Sequence, residues 1–264
     1  MHALIIKEPS KTRRINEFVQ IGAPLPRGEC FDVSQLLLVQ EDNTVLQANI
    51  SPSTLWPDNS VKWCLLSFDI DLEPGEEKKL SLQKNRSIPL QMTDRQFVVN
   101  SVDKKLIANT EHCEFAIDLD NYDFLQAFNS NSELLIDQGF CELTTSNQGE
   151  LSAHIEDFSY ATRHSQHRPL FAEAKFHGDF KSTDNEDIIR FESHYLFHYA
   201  SDTVKCAVTL HNPKRAAHPD GIWDLGEENS LYIRSFSLGF KPAATTSLQC
   251  KLTPESGWQT IEPG

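Results

Sequence analysis

Ionisable side chains alternate with aromatic ones along residues 189–199, the longest alternating stretch of the chain. Arg190, Glu192, His194 and His198 fall on even positions, so a strand would place them on one face, with successive positions about 6.5–7 Å apart. A cation, a carboxylate and two imidazoles in one row suit general acid–base chemistry, because imidazole titrates near neutral pH. The alternative is a solvated sheet face with cross-strand ion pairs.

Tyr195 completes the set of candidate catalytic residues, although its odd position places it on the opposite, aromatic face. Polar positions of the next apolar segment would extend the row across a hairpin: Lys205, Thr209 and His211. Two histidines four residues apart on a strand are too distant to grip one metal ion as a helical pair does, so no metal site is expected from His194 and His198. The sequence also contains no dinucleotide-binding, metalloprotease or nucleophile-elbow motif, and no cofactor is predicted.

A second candidate site lies in the segment ATRHSQHRP, residues 161–169, which concentrates cations in an otherwise acidic half of the chain. Its candidate substrate-binding residues are Arg163, His164, His167 and Arg168. Arginine forks match carboxylates, so this segment is interpreted as an anion-binding loop for an acidic sugar. The alternative is a mobile surface loop.

Two tryptophans flank a turn in LWPDNSVKWC, residues 55–64. Alternation after the turn places Trp63 with Val61 and Leu65, which predicts that Trp63 is a core residue, the alternative being an exposed stacking platform for a sugar ring. For Trp56 two interpretations stay open: it folds back over that core, or it is a stacking platform for a sugar ring. The second interpretation makes Trp56 a substrate-binding candidate.

The hydrophobic pattern that positions these residues has a period of two rather than 3.6. Residues 68–72 alternate before a Pro-Gly turn, and residues 189–199 and 204–210 are predicted to form an antiparallel hairpin. Many short strands separated by turn signals indicate an all-β chain of barrels or sandwiches. A polar segment and a shift in charge balance place a domain boundary at about residue 92.

Charge, hydropathy and cysteine spacing limit the partners and compartments that the chain is expected to have. The chain of 264 residues carries a formal net charge of −14, which disfavours nucleic acid and anionic membranes. No apolar run approaches the ~20 residues of a membrane helix, and no signal peptide is visible, so the compartment stays open between cytoplasm and periplasm. The six cysteines are scattered without a CxxC pair, which predicts reduced structural thiols rather than a disulfide framework.

The loop GAPLPRGE, residues 22–29, is interpreted either as a rigid closure of a barrel or as a ligand loop using Arg27 and Glu29. Together with the tryptophan corner, it resembles the N-terminal RIFT-barrel domain of exo-rhamnogalacturonan lyase-like proteins. The G-x-P-x-P-x-G motif and the W-P-D-x-S-x-K-W motif map onto Gly22, Pro24, Pro26, Gly28, Trp56, Pro57, Asp58, Ser60, Lys62 and Trp63. The resemblance covers about the first 90 residues, and a looser similarity to the family's central β-sandwich follows.

The resemblance implies a RIFT-like β-barrel over residues 1–92 and an antiparallel β-sandwich over residues 93–264. It also implies a glycan that contains uronic acid, either an acidic polysaccharide or an oligosaccharide, which the full-length enzyme would cleave by β-elimination. Such proteins continue into a C-terminal α/α toroid, so the chain is expected to be the β portion of a larger lyase-like protein. The alternative is a non-catalytic carbohydrate-binding or assembly module. The family assigns no catalytic residue to this chain.

Overall fold

A computed structural model describes residues 2–84, 99–120, 122–147, 149–165, 168–184, 186–201, 203–215, 229–243, 250–252 and 259–261. These residues form nineteen strands and one short 3-10 turn at Val33–Gln35. The strand pairs whose registers are resolved are antiparallel. The all-β prediction is therefore confirmed. None of the described helical structure has the length and apolarity that a membrane span requires.

The chain divides into two compact units. Unit 1 consists of Met1–Phe97, Ala161–Glu173 and Leu196–Val204, and unit 2 consists of Val98–Tyr160, Ala174–Tyr195 and Lys205–Gly264. The predicted boundary at residue 92 falls outside the described residues, and the division into residues 1–92 and 93–264 stays a prediction. Unit 1 gathers two later segments that no cut at a single position would assign to it.

The N-terminal part of unit 1 holds two antiparallel sheets. Their strands are β1 (His2–Lys7), β2 (Arg14–Pro24), β3 (Leu36–Gln40), β4 (Val45–Leu46), β5 (Ala48–Leu55), β6 (Val61–Leu72) and β7 (Glu77–Lys84). One sheet has the order β1-β7-β3-β4 and the other β2-β6-β5. The predicted turn between β6 and β7 is present: the amide of Glu76 donates to the carbonyl of Glu73 over 2.9 Å, and Gly75 has a φ of +74°.

The core of unit 1 forms on the even positions of β6. Cys64, Leu66 and Phe68 are fully buried there. Trp63 is 41% exposed, so the prediction that it belongs to the core was wrong. The register of β5 shifts opposite Trp63, and Val61 is buried although it has the same parity, so parity misassigned the face.

The tryptophan corner and the proline-rich loop lock together. Ser60, which is buried, donates its hydroxyl to Asp58 over 2.6 Å and accepts the amide of Gly28 over 2.9 Å. Arg27 reaches the other carboxylate oxygen of Asp58 at 3.1 Å. Gly28 has a φ of +77°, a conformation that glycine adopts without a steric penalty. Both motifs therefore have a structural role, and Arg27 contacts the corner.

A buried carboxylate ties the segment after β1 to the turn before β7. Glu8 is 2% exposed and accepts hydrogen bonds from the hydroxyl and amide of Ser10 and from the amides of Thr12 and Gly75. The bond from the Ser10 hydroxyl, helped by the three amides, lowers the pKa of Glu8 to about 2.

Unit 2 is built mainly on one large antiparallel sheet. Its strands are β8 (Val99–Val102), β9 (Lys105–Asn109), β10 (Cys113–Asp118), β11 (Gln126–Asn129), β12 (Leu134–Thr145), β13 (Gly149–His164), β14 (Pro169–Lys181), β15 (Asp187–His198), β16 (Val204–His211) and β17 (Ile233–Pro242). The order is β16-β15-β14-β13-β12-β11-β10-β9-β8, and β17 pairs with β12. Strands β18 (Cys250–Leu252) and β19 (Gln259–Ile261) pair separately. Adjacent β15 and β16 confirm the predicted hairpin.

Aromatic side chains fill the interior of unit 2. Phe176, Phe180, Phe191 and Tyr195 are buried, and the rings of Phe176 and Tyr195 meet edge to face with centroids 5.6 Å apart. These rings occupy alternate positions of β14 and β15, as the period of two predicts.

The predicted state of the cysteines agrees with the structure. Cys30, Cys64, Cys141 and Cys206 are thiols. Burial raises the pKa of Cys64 and Cys206 to about 11 and that of Cys141 to about 12. At neutral pH these thiols stay protonated, and a protonated thiol is a poor nucleophile.

We predict that Glu8→Gln lowers the free energy of unfolding at neutral pH, because the amide side chain cannot replace the charge-assisted hydrogen bonds. The folded pKa lies near 2 and the ordinary value is 4.5, so ionisation of Glu8 stabilises the fold fully above about pH 4.5. This contribution fades as the pH falls through 2. Urea unfolding at several pH values measures the difference between the two proteins.

The matched control is Glu77→Gln, which alters an exposed carboxylate on β7 opposite Lys7. Its unfolding free energy should follow that of the wild type across the same pH range. A stability difference between Glu8→Gln and the wild type that stays constant down to pH 2 would contradict the assignment.

Candidate functional site

Polar side chains from four neighbouring strands of unit 2 line a groove of about 520 Å³. The groove has the following lining: Glu156 on β13, His177 and Gly178 on β14, Arg190, Phe191 and Glu192 on β15, and Thr209 and His211 on β16. This volume lies within the range of small-molecule sites. The groove is therefore the strongest candidate site in the described part of unit 2.

Two loose ion pairs set the electrostatics of the groove. Nε of Arg190 lies 3.8 Å from Oδ1 of the buried Asp179, and Nε2 of His177 lies 3.8 Å from Oε2 of Glu192. Both distances exceed that of a hydrogen bond. The Arg190 side chain is 67% exposed, so its guanidinium keeps donors that a ligand can reach.

Gly178 shapes the floor of the groove. A Cβ atom at this position would lie 2.0 Å from the carbonyl oxygen of His154 and 2.8 Å from the ring of Phe191. Only glycine therefore allows the backbone of β13 and the Phe191 ring to approach β14 this closely.

The structure separates the four candidate catalytic residues. Arg190 lies in the groove, whereas Tyr195 is completely buried and its hydroxyl donates to the carbonyl of Phe124 over 2.8 Å. The hydroxyls of Tyr195 and Tyr122 also lie 2.7 Å apart. Burial raises the pKa of Tyr195 far above its usual range, so this hydroxyl stays protonated. Burial and these hydrogen bonds place Tyr195 in the interior of unit 2.

The two predicted histidines, His194 and His198, differ in burial. His194 is half-buried on β15, two residues after Glu192 and on the same face of the strand. His198 is 2% exposed, so it does not lie on a solvated sheet face, and its catalytic role stays a prediction. Alternation alone could not detect this difference, because burial at the end of a strand depends on what covers it.

His198 and Arg168 meet one buried carboxylate on β6. Oδ1 of Asp69 lies 2.5 Å from Nε2 of His198, and Oδ2 lies 2.6 Å from a terminal nitrogen of Arg168. Both carboxylate oxygens of Asp69 are therefore engaged by side chains from later segments of unit 1. Nδ1 of His198 is 2.6 Å from the hydroxyl of Ser201.

This cluster is held together by contacts within unit 1. The side chain of Asp69 is 4% exposed and both of its oxygens are engaged within the protein. The ring of Phe18 packs against those of His198 and Phe171, with centroids 5.2 and 5.0 Å away. The Arg168 guanidinium thus neutralises an internal carboxylate, where the sequence suggested an anion from solution.

The rest of the predicted anion-binding loop is dispersed. Arg163 is exposed, and its Nε lies 3.4 Å from Oε2 of Glu173. His164 contributes its backbone carbonyl to the side chain of Asn49 over 2.8 Å, and its imidazole is exposed. His167 lies outside the described residues. No shared anion site is formed by the described members of this loop.

Trp56 is half-buried. Its indole N–H donates to the carbonyl of Leu25 over 3.0 Å, and the ammonium of Lys62 stands 4.7 Å from the centroid of its ring. A cation over one face and an anchored N–H make Trp56 part of the corner. Its assignment to substrate stays a prediction.

Sequence reasoning missed three groups that the structure brings into play: Glu156, His177 and Asp69. Glu156 and His177 lie on strands that alternation does detect, but only the sheet order places them beside Arg190. Asp69 is one of two aspartates on the polar positions of the alternating stretch 68–72, and alternation gave no signal that it is buried. Among the described residues, no group of three or more His, Cys, Asp or Glu side chains is placed to hold a metal ion.

We predict that Arg168→Ala destabilises the protein by about 3 kcal/mol, because it strips a partner from a buried carboxylate. The control is Arg163→Ala, which breaks an exposed ion pair and should cost about 0–1 kcal/mol. Urea unfolding followed by tryptophan fluorescence measures both values. Equal effects of the two substitutions would contradict the assignment of Arg168 to the buried cluster.

Comparison with known proteins identifies the N-terminal segment. Residues 8–85 match the model of the PcRGLX-like N-terminal RIFT barrel domain. The match includes strands β2 to β7, the proline-rich loop and the tryptophan corner, so the predicted RIFT barrel is confirmed for this part of the chain. Among curated proteins, none matches the chain.

Proposed function

We propose that this chain is the β-strand portion of a polysaccharide lyase-like protein, and that the groove of unit 2 binds a glycan containing uronic acid. The RIFT barrel match of residues 8–85 supports the lyase-like context. The observation that carries the ligand class is the exposed guanidinium of Arg190 in a groove of sugar-sized volume.

Arg190 is suited to read a sugar carboxylate. A guanidinium presents five N–H donors in a planar fork, which a carboxylate can meet with two parallel hydrogen bonds. The contact with Asp179 at 3.8 Å is too long to hold the fork in place, so a ligand can recruit it without breaking a short hydrogen bond.

The other polar groups of the groove suit sugar hydroxyls. Glu156 and Glu192 accept hydrogen bonds from hydroxyl groups, and Thr209 can donate or accept. These groups come from β13, β15 and β16, so they spread across the sheet and would follow more than one sugar unit. A few convergent polar groups over an apolar floor is a common design of ligand sites.

β-Elimination would use the same groove in the full-length protein. Arg190 would neutralise the C5 carboxylate, which makes the C5 proton more acidic. An imidazole, His177 or His211, would take that proton as the C4–O bond breaks, and an acid would protonate the leaving oxygen. Glu192, near His177, would stabilise the imidazolium that forms.

A non-catalytic binding module is the second candidate function. One observation favours it: Tyr195 and His198, two of the four candidate catalytic residues, are buried and engaged by protein groups. Arg190 then serves recognition alone, and the chain delivers the glycan to a reaction performed elsewhere.

We predict that Arg190→Ala weakens binding of polygalacturonate about tenfold or more, because a charge-assisted hydrogen bond contributes about 1.5–3 kcal/mol. Arg190→Lys should recover part of the loss, since it keeps the charge without the fork. Affinity electrophoresis in gels containing the polymer measures the change.

The matched control is Arg234→Ala, which removes an exposed cation from β17 in the same unit. Polygalacturonate whose carboxyl groups have been reduced to alcohols is the control ligand and should bind weakly to every variant. The assignment of the groove as the polygalacturonate site would be contradicted if Arg190→Ala were retarded as strongly as the wild type. It would also be contradicted if Arg234→Ala lost as much affinity as Arg190→Ala.

The two candidate functions can be told apart by the unsaturated product that only elimination forms. Elimination creates a C4–C5 double bond conjugated to the carboxylate, which absorbs in the ultraviolet. We expect polygalacturonate to be bound by this chain without growth of that absorbance. Absorbance that rises with wild-type chain and fails to rise with Arg190→Ala would instead establish catalysis in the groove.

A further inference from the structure

We propose that unit 1 carries a second, separate carbohydrate site: a stacking surface for a neutral pyranose ring centred on Trp63. The site lies on the outer face of the sheet β2-β6-β5, and it stands independently of the groove in unit 2. Trp63 is 41% exposed on a strand whose even positions from Cys64 to Leu72 are buried.

The indole is seated on the sheet. A Cβ placed at Gly22 would meet Cε3 and Cζ3 of Trp63 at 3.5 and 3.7 Å, so the ring rests against the backbone of β2 where no side chain intervenes. Pro24 and Thr54 pair with Trp63 across the sheet, and both are exposed. Contact with the strand beneath leaves the remaining ring surface for a ligand.

Hydrogen-bonding groups surround the indole on the same face. Gly22 and Ser51 pair with Leu65, which lies two positions along β6 from Trp63. Two positions further, the exposed Gln20 pairs with Ser67. Directly paired residues of antiparallel strands share a face, so the hydroxyl of Thr54 lies beside Trp63 and that of Ser51 one pair further along the same face. The amide of Gln20 lies one pair beyond that and donates to the hydroxyl of Ser67 over 3.2 Å. An aromatic surface edged by hydroxyl and amide groups is suited to a sugar, which has an apolar C–H face and a polar rim.

The charge of this surface selects the class of sugar. Six residues compose it: Gln20, Gly22, Pro24, Ser51, Thr54 and Trp63, and all are uncharged. The chain as a whole carries −14, and its long-range field disfavours anionic ligands where no cation offsets it. A neutral pyranose is therefore the complementary ligand here, in contrast to the uronate proposed for Arg190.

The same sheet face already serves as a packing surface at its other end. There Phe18 and Asp69 are covered by His198 and Arg168 of the later segments of unit 1. The Trp63 end continues this face beyond the covered part.

The test is affinity electrophoresis of the full chain in gels that contain a neutral polysaccharide, using hydroxyethyl cellulose, galactomannan and xylan as probes. We expect at least one of them to retard the wild type and Trp63→Ala to lose about tenfold in affinity. Trp63→Phe, which keeps a smaller aromatic ring, should lose less. Circular dichroism and the thermal midpoint check that each variant is folded.

The matched control is Phe31→Ala, which removes an equally prominent ring, 63% exposed, from a loop of the same unit. It should bind as the wild type does. Trp63→Ala should bind polygalacturonate as the wild type does, and loss of neutral-glycan binding alone separates this proposal from the one for the groove.

Three results would overturn the proposal. They are no retardation by any neutral probe, equal losses in Trp63→Ala and Phe31→Ala, and a wild-type dimer that Trp63→Ala dissociates while no glycan binds. The last result, seen by analytical ultracentrifugation, would assign the face to a second copy of the chain.

Discussion

The buried carboxylate of Asp69 is the constraint on which the organisation of unit 1 depends. Its oxygens meet Arg168 and His198, which lie 99 and 129 residues away along the chain. An ionised carboxylate excluded from water costs several kcal/mol unless charged or hydrogen-bonding partners replace the solvent. The segments that carry these partners must therefore return to the outer face of β6, and unit 1 becomes discontinuous in sequence.

This constraint also sorts the polar residues by role. Arg168 and His198 have the side-chain chemistry of a substrate site, yet their hydrogen bonds end within the protein. Arg190 has the same chemistry with a long contact and a mostly exposed side chain. Residue type alone cannot separate these cases, because the difference lies in what each donor faces. The acidic-glycan proposal therefore rests on Arg190 and its groove.

Strand periodicity predicted most of the architecture. The alternation around Phe191 and Tyr195 located β15 and its buried aromatic face, and the turn signal at Gly75 located the connection between β6 and β7. The same rule failed at Trp63, where the register of β5 shifts, and at His198, where a strand end is covered. The first failure arises from a register shift in the preceding strand, and the second from Asp69 and Phe18, which lie far away in sequence from His198.

The sequence by itself predicted the all-β class, the thiol state of Cys30, Cys64, Cys141 and Cys206, and the N-terminal domain type. These follow from local alternation, from cysteine spacing and from two short motifs whose residues contact one another, as Ser60 and Gly28 do. Only the tertiary structure decided which polar residues face solvent. Glu156, His177 and Arg190 share a groove because four strands lie side by side, and Trp63 rests against the backbone of β2 at Gly22 while 41% of its surface stays exposed. Exposure is set by packing between distant segments, which no local pattern encodes.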